Sequence, residues 1–357
     1  MTPDPSELPV LALDLGGTQV RTALVTPGGR LLGRLAQPTS RVPADVLVAL
    51  CAEQLRASMA AAEPGDITPG GGLPSALTIS APGPLDPFAG TFIDPPNLDP
   101  SLRGFPFAER LGAAHGLPAL MERDTQVAAL AEGRFGAARG LTDYVYLTVS
   151  TGIGGGVVSD GRLLRGIDGL ASELGHLAID LDGPPCGCGA RGHLEGIASG
   201  SGIARQARDA GLGELSAREV ARVAEQGNAT AAGIMDYARR AFAAALVTIV
   251  DVFNPQRVIV GGGLALGQGE RLLGPAREAV ARYAFRRQAE RVEIVPAQLG
   301  DDVGLVGGLA LVAFASLGDD GILHNDATTA GRSALSTPSP STDDGPDAIK
   351  QSPATHA

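Results

Sequence analysis

Three glycine-rich segments in this chain each follow an apolar run and have the composition of a phosphate-binding loop. The segment DLGGT occupies 14–18, STGIGGG occupies 150–156 and GGG occupies 261–263. Backbone N–H groups can face phosphate oxygens in such loops, because glycine puts no side chain in the way. Asp14 can in addition hold hydrated Mg²⁺. Each segment, taken alone, is also compatible with an ordinary glycine-rich hairpin or connection.

The second glycine-rich segment also has a superficial likeness to a dinucleotide-binding loop. That interpretation requires a helix directly after the glycines. The residues that follow, GVVSDGRLL, instead predict a strand and a turn. We therefore reject a Rossmann loop at this position.

Two histidines and two cysteines lie close together in the sequence between residues 176 and 193. Cys186 and Cys188 form a C-x-C pair, with His176 before it and His193 after it. Two thiolates and two imidazoles are a donor set that tetrahedral Zn²⁺ accepts, and four protein ligands make such a site structural. The alternative is a loop with reduced, free cysteines. Zinc is favoured because GPPCGCGARGH has few apolar residues that could order it without a metal.

Asp124 lies where an apolar, strand-like segment meets an alanine-rich helix, in ERDTQVAALAE at 122–132. Aspartate is a favoured N-cap at such a junction, and from these residues alone the cap is the simpler interpretation.

The composition excludes several classes of mechanism and partner. Lys350 is the one lysine, so a Walker-A loop, a protein-kinase strand lysine and a Schiff-base lysine are all absent from the predicted folded part. A net charge of −11 argues against nucleic acid or an anionic membrane as the main partner. The amino terminus lacks the pattern of a signal peptide, and the longest apolar run, Val303 to Leu317, is too short to span a membrane. We expect a soluble, cytoplasmic protein.

The elements that must position these residues show a repeated plan. Residues 8–36 and 144–165 each predict a strand, a glycine turn, a second strand, another turn and a third strand. Two such units indicate a duplicated α/β architecture with two lobes. Residues 319–357 are rich in Ser, Thr, Pro and Asp and predict a disordered tail. Apolar spacing predicts helices over 43–62, 104–116, 125–138, 199–211, 216–226, 229–253, 269–287 and 302–317.

Six motifs occur in an order and spacing that resemble the ROK family of sugar kinases and sugar-responsive repressors, with the bacterial ROK glucokinases as the nearest branch. The likeness runs from about Val10 to Leu317. The motifs are DLGGT, PGPLD at 82–86, PPNL at 95–98, STGIGGG, ELGH at 173–176 and CGCGARGHLE at 186–195.

The resemblance implies an actin-like ATPase (ribonuclease H-like) fold of class α/β, with two lobes around a central cleft. The small lobe would comprise 8–123, with helix 302–317 packing back on it, and the large lobe 124–301 with the zinc loop 176–195. The implied activity is transfer of the γ-phosphoryl of ATP to the 6-hydroxyl of a hexose, with glucose as the first candidate. ATP with Mg²⁺, a structural Zn²⁺ and a homodimer come with it, without nucleic acid or membrane partners.

The resemblance also assigns roles residue by residue. Asp124 matches the catalytic base. The sugar-binding positions, which include Asp124 itself, are further Gly83, Asn97, Glu173, His176 and Glu195. The nucleotide positions are Asp14, Gly16, Gly17, Thr18, Thr151, Gly152, Gly154, Gly261, Gly262 and Gly263. The metal positions are His176, Cys186, Cys188 and His193.

Two positions depart from the family pattern. Arg123 stands where the family commonly has an Asn that touches the sugar, and it is expected to face either the sugar or solvent. An arginine there also tends to lower the pKa of Asp124 and so to weaken it as a base. His193 replaces the third zinc cysteine, which leaves a His₂Cys₂ donor set.

Four other functions compete with glucokinase. A ROK repressor would carry a helix-turn-helix domain before DLGGT, where this chain has about ten residues. An actin-like or chaperone ATPase would leave the 173–195 cluster unexplained. An N-acetylhexosamine or fructose kinase cannot be separated from a glucokinase by sequence, and Arg123 keeps open a catalytically idle sugar sensor.

Overall fold

The structure is a computed structural model of the chain that describes residues 7–17, 19–39, 41–62 and 73–316. Thr18 of the first glycine-rich segment, Leu317 and the predicted tail 319–357 lie outside the described residues.

The first half of the chain builds a five-stranded sheet with the order β3-β2-β1-β4-β7. Strands β1 to β3 are antiparallel, whereas β4 and β7 run parallel to β1. Apolar residues from helices α1 and α2 pack against this sheet in one buried cluster. The bounds are β1 Val10–Leu15, β2 Gln19–Val25, β3 Leu31–Pro38, α1 Ala44–Ala60, β4 Leu77–Ala81, β5 Leu85–Asp86, β6 Thr91–Phe92, α2 Phe107–His115 and β7 Ala119–Arg123.

The second half repeats this topology in a sheet with the order β10-β9-β8-β11-β12. Strands β8 to β10 are antiparallel, and β11 and β12 run parallel to β8. The repeat predicted from 8–36 and 144–165 therefore corresponds to the antiparallel part of each sheet. The bounds are α3 Asp124–Phe135, β8 Tyr144–Val149, β9 Ile153–Ser159, β10 Arg162–Leu163, β11 Arg257–Gly261 and β12 Glu293–Pro296.

Most helices of the second half cover the second sheet, whereas the last one, Val303–Ser316, packs against β1 and β4 of the first sheet and against α3. Helix α7 has the predicted bounds, whereas the helix predicted over 269–287 divides in two because Ala284 and Phe285 have extended backbone angles. The bounds are α4 Leu194–Ala198, α5 Gly200–Asp209, α6 Ala217–Glu225, α7 Ala229–Phe253, α8 Gly263–Gln268, α9 Glu270–Tyr283, α10 Arg286–Ala289 and α11 Val303–Ser316. Among the described residues no helix is both long and apolar enough to cross a membrane.

Two connections join the sheets, and the carboxylate of Glu132 on α3 binds both. Its Oε2 accepts the N–H of Ala137 at 2.6 Å, in the connection from α3 to β8. Its Oε1 accepts the N–H groups of Gln298 and Leu299 at 2.9 and 3.1 Å, in the connection from β12 to α11. Glu132 is fully buried, and these three donors satisfy a carboxylate that would otherwise be costly to bury.

Candidate active site

The first glycine-rich segment leaves β1 with Asp14 held in place by its neighbours. Ser80 donates a hydrogen bond to Asp14 Oδ1 at 3.0 Å, and Arg21 Nη1 lies 3.2 Å from Oδ2. Gly16 N–H closes the turn onto the Gln19 carbonyl at 2.8 Å. Burial raises the pKa of Asp14, and the Arg21 charge and the Ser80 hydrogen bond only partly oppose it.

Two close approaches surround this segment. A Cβ placed on Gly304, in the first turn of α11, would lie 2.5 Å from Asp14 Oδ1, so only glycine lets the helix begin against the carboxylate. A Cβ on Gly17 would lie 3.2 Å from the Cβ of Asn97. The predicted sugar residue Asn97, which is exposed, is therefore adjacent to the first phosphate loop.

The second segment is a shorter loop than the sequence predicts. Its turn is confined to Ser150–Gly152, closed by a 2.9 Å hydrogen bond from Ser150 N–H to the Gly152 carbonyl. Gly154 to Gly156 lie in β9, where a Cβ on Gly154 would come within 2.7 Å of Thr125 and one on Gly156 within 2.7 Å of Ala129. These glycines let helix α3 pack against the strand, which the loop interpretation did not anticipate.

The third segment lies at the same sheet edge as the second, because β11 and β8 are parallel neighbours. Gly262 adopts a φ of 90°, and a Cβ there would strike the Val149 carbonyl oxygen. The nearest atom to a Cβ on Gly263 would be Ser150 Oγ, at 4.0 Å. Gly261 ends β11, so residues 261–263 and the Ser150–Gly152 turn form one continuous surface of backbone.

Asp124 begins α3 at the carboxyl end of β7, with its side chain exposed to solvent. The N-cap position belongs to Arg123, which makes no capping hydrogen bond, while Asp124 Oδ1 accepts the Thr125 N–H at 2.7 Å. Desolvation by the surrounding protein raises the pKa of Asp124 to about 6, and the negative charges of Asp14 and Glu173 add to this effect. Thus Arg123 lowers the pKa of Asp124 too little to offset the desolvation.

Arg123 does not point to solvent, which corrects one of the two sequence-based expectations. Its side chain is 3% exposed. Nη1 binds the Glu173 carboxylate, and Nη2 binds the Ala171 carbonyl oxygen. A Cβ on Gly83 would lie 3.1 Å from the Arg123 side chain, which places this predicted sugar position beside the arginine stem.

Glu173 and Glu195 are the two other predicted sugar-binding carboxylates. Glu173 Oε2 lies 3.5 Å from His176 Nδ1. Burial tends to raise the pKa of Glu173, but the His176 hydrogen bond and the Arg123 charge outweigh it and lower the pKa. Glu195 Oε2 accepts the Ile153 N–H at 2.8 Å, beside Gly152.

The four predicted metal ligands converge in space. One donor atom from each of His176, Cys186, Cys188 and His193 lies within 4.8 Å of all the others, and Cys188 Sγ is 3.3 Å from His193 Nδ1. Tetrahedral Zn²⁺ with bonds of about 2.0–2.3 Å separates its donors by about 3.3–3.8 Å. His176 Nδ1 lies 3.5 Å from Glu173 Oε2, which leaves Nε2 for a metal. A carboxylate beside the second nitrogen is typical of a metal-bound imidazole. His193 therefore reaches the position at which the resemblance expects a third cysteine.

The comparison with known proteins agrees with this geometry. A family model described as ROK family matches residues 10–314. This chain belongs to the ROK family.

Two relatives of this ROK protein are kinases of different sugars. A glucokinase from Thermotoga maritima is 34% identical over 322 residues, which cover 86% of this chain and 98% of that protein. An N-acetylmannosamine kinase from Citrobacter koseri is 36% identical over 301 residues, which cover 84% of this chain and 97% of that protein.

Solved structures confirm the predicted actin-like, two-lobed fold. The ROK hexokinase from Thermus thermophilus superposes with a TM-score of 0.76 at 37% identity, covering 87% of this chain and 99% of that one. A ROK glucokinase from Streptomyces griseus in complex with glucose and AMPPNP has a TM-score of 0.67 at 31% identity, covering 85% and 98%.

Sequence reasoning missed two residues beside Asp14 in this ROK protein. Arg21 lies directly opposite Asp14 in the antiparallel register of β1 and β2, so counting residue pairs across the predicted hairpin could have found it. Ser80 lies level with Asp14 because β4 pairs in parallel with β1. No local pattern in the sequence reveals that long-range pairing.

Proposed function

We propose that this chain is an ATP-dependent hexose kinase that transfers the γ-phosphoryl group of ATP to the 6-hydroxyl of a hexose, with glucose as the first candidate. The observation that carries the proposal is Asp124: an exposed carboxylate with a pKa of about 6, close enough to Asp14 of the first glycine-rich segment and to the carboxylate of Glu173 for their charges to raise that pKa. A carboxylate of that pKa is ionised at neutral pH and basic enough to accept a hydroxyl proton.

In the proposed reaction the hexose oxygen forms a bond to the γ-phosphorus as the bond from that phosphorus to the β,γ-bridging oxygen breaks. The hydroxyl proton passes to Asp124, and ADP leaves with the bridging oxygen. The protein supplies positioning and charge neutralisation, which is most of what phosphoryl transfer requires.

The proposed phosphate site uses backbone rather than lysine. The N–H of Gly17 and the turn at Thr151–Gly152 would face the phosphates, Gly16 would shape the first turn through its own hydrogen bond to Gln19, and Thr18 belongs to the same proposal. Residues 261–263 would line the adenosine, as the resemblance implies. Asp14 would hold Mg²⁺ or one of its waters, and bound Mg²⁺ would neutralise charge on the β- and γ-phosphates.

The proposed sugar site lies between the two halves of the chain. Asn97 and Gly83 would contribute from the first half, and Glu173, His176 and Glu195 from the second. Carboxylate and amide oxygens accept hydrogen bonds from sugar hydroxyls, which suits a neutral polyol.

We also propose that His176, Cys186, Cys188 and His193 bind one structural Zn²⁺. The compact His₂Cys₂ cluster supports this, because four protein ligands fill a tetrahedral site. Through His176 and through Glu195, two residues after His193, this metal would order the sugar side of the site.

An N-acetylhexosamine kinase is the second candidate. It is favoured by the 36% identity to the N-acetylmannosamine kinase. Fructose phosphorylation and an idle sensor are less well supported.

A coupled assay of ADP formation with MgATP and a panel of glucose, mannose, fructose, N-acetylglucosamine and N-acetylmannosamine tests the proposal. We expect hexose-dependent turnover that is largest with glucose, and its loss in Asp124→Asn. Turnover that is no faster with any sugar than without one contradicts the kinase assignment. A cytoplasmic location, where ATP is available, and a homodimer complete the proposal, and light scattering of the purified protein tests the second.

A further inference from the structure

Arg123 is a buried arginine whose two side-chain hydrogen bonds both reach one short segment, residues 171–173. Burying a guanidinium is costly unless it is paired and hydrogen-bonded. Here the pairing comes from the other half of the chain, through the Glu173 carboxylate and the Ala171 carbonyl oxygen. With 3% of its side chain exposed, Arg123 has almost no surface left for a ligand.

The segment that Arg123 holds has a strained backbone. Ser172 has a φ of 70°, a left-handed conformation that is unfavourable for a residue with a Cβ. The Leu174 N–H reaches back to the Ser172 carbonyl at 2.8 Å, which forms a tight turn around Glu173. Strain of this kind persists only where the surroundings restrain it.

The turn around Glu173 is restrained by Arg123 and Gln126, which lie on either side of Asp124 in the sequence. Gln126 Nε2 lies 3.3 Å from the Ala171 carbonyl oxygen that also accepts from Arg123. Arg123 directly precedes Asp124, and Gln126 lies in the first turn of the helix that Asp124 begins. The start of α3 and the turn around Glu173 are therefore joined as one unit.

We propose that Arg123 is a positioning residue for hexose binding, which holds the Glu173 carboxylate in a fixed orientation beside Asp124 and restricts how a sugar can use it. This inference rests on the proposed hexose kinase function. Arg123 binds Oε1 of Glu173 and His176 Nδ1 lies 3.5 Å from Oε2, so both oxygens are oriented and a sugar hydroxyl can use only their remaining lone pairs. Because the protein itself orients the carboxylate through Arg123, sugar binding does not have to order it.

A double-mutant cycle with Arg123→Met, Glu173→Gln and the combination tests this assignment. Methionine keeps much of the stem that packs beside Gly83 but removes the charge and the hydrogen bonds. We expect Arg123→Met to raise the hexose KM about tenfold or more, the usual worth of a hydrogen bond to a charged group. The KM for MgATP should change by less than about twofold, since Arg123 is expected to act through Glu173 alone. In the Glu173→Gln background the same substitution should raise the hexose KM by less than about twofold.

Matched variants separate positioning from general stability. Arg208→Met removes an exposed ion pair with Glu214 and should leave the hexose KM unchanged. Arg123→Lys keeps the charge and one of the two contacts, so its hexose KM should lie between those of wild type and Arg123→Met. If Arg123→Met fails to fold, the lysine variant carries the test, and a wild-type KM in that variant contradicts the proposal.

Two other results overturn it. An equal increase in KM in both backgrounds means that Arg123 acts independently of Glu173. A lower melting temperature with an unchanged hexose KM means that the pair only stabilises the fold. If wild type phosphorylates no hexose, the kinase proposal fails separately, and the same cycle is then run on glucose dissociation constants from calorimetry.

Discussion

Glu195 Oε2 accepts a hydrogen bond from the Ile153 N–H at 2.8 Å, and this contact joins the proposed sugar site to the second phosphate loop. Glu195 follows the predicted metal ligand His193 by two residues, whereas Ile153 follows the Ser150–Gly152 turn. One carboxylate thus links the candidate metal loop, the proposed sugar site and the proposed nucleotide site. We therefore expect a substitution at any one of these three sites to alter binding at the other two.

Gly152→Ala should therefore impair both substrates. The added Cβ would lie 2.6 Å from Glu195 Oε2, closer than real Cβ atoms approach, so the carboxylate or the loop must shift. We expect the KM values for hexose and for MgATP to rise together in steady-state kinetics. Gly267→Ala, at a glycine with open space around its Cβ position, is the matched control. An increase in the MgATP KM alone would show that the two sites are not linked through Glu195.

Asp124→Asn should lower kcat by on the order of 10²–10⁴, the usual contribution of a general base. The fold should survive, because the asparagine Oδ1 can still accept the Thr125 N–H. Stopped assays of glucose phosphorylation and calorimetric glucose binding measure the two properties separately. Unchanged turnover would mean that Asp124 has only a structural role at the start of α3.

The pH dependence of kcat/KM for the hexose should report the raised pKa of Asp124. The group acts as a base only when ionised, so activity should increase with pH and reach half its plateau near the value of about 6. Assays from pH 5 to 8 at saturating MgATP give this profile. The residual activity of Asp124→Asn should lack the inflection, and an inflection that persists there belongs to another group.

The same raised pKa should make Asp124 a source of instability at neutral pH. A carboxyl with a higher pKa in the folded than in the unfolded state favours folding below its ordinary value of 3.8 and loses that contribution as pH rises through about 6. The melting temperature of Asp124→Asn should hence exceed that of wild type at pH 7 by more than at pH 4. Calorimetric scans at both pH values measure the difference, and an equal offset at both contradicts the linkage.

Protein purified without added metal should contain one equivalent of zinc per chain. Chelation should lower the melting temperature and raise the hexose KM, because His176 contacts Glu173 and His193 is two residues from Glu195. His193→Cys should retain the metal, since a thiolate can replace the imidazole, whereas His193→Ala should lose it. Elemental analysis of the three proteins decides the matter, and absence of zinc from wild type contradicts the metal site.

The parts of this fold that the sequence predicts are those with local signals. Alternating apolar residues and glycine turns indicate the antiparallel strands of each sheet, and the Cys-x-Cys spacing indicates a metal cluster whose four donors the structure brings together. Helix α7 is predicted to the residue because apolar spacing continues from Ala229 to Phe253 and Asn254 ends it in the left-handed conformation.

The parts that escaped prediction depend on contacts between distant residues. Arg123 pairs with a carboxylate 50 positions away, and no spacing rule connects the two. The glycines of β9 have the composition of a loop, but they are required because α3 packs against that strand. Both features follow from tertiary packing, which overrides local composition.

Glu132 holds both inter-sheet connections at a single point. Because both connections are hydrogen-bonded to that buried carboxylate, we expect any rotation of one sheet relative to the other to displace it least. Asp124 lies eight residues away on the same helix (132 minus 124), which is about 12 Å along the helix axis. A rotation of α3 by about 5° about Glu132 would then displace the Asp124 carboxylate by about 1 Å. Such a displacement can lower the rate on the order of a hundredfold. On this expectation, the rate of the proposed reaction would depend in part on how firmly Glu132, a residue outside the proposed substrate sites, holds the two connections.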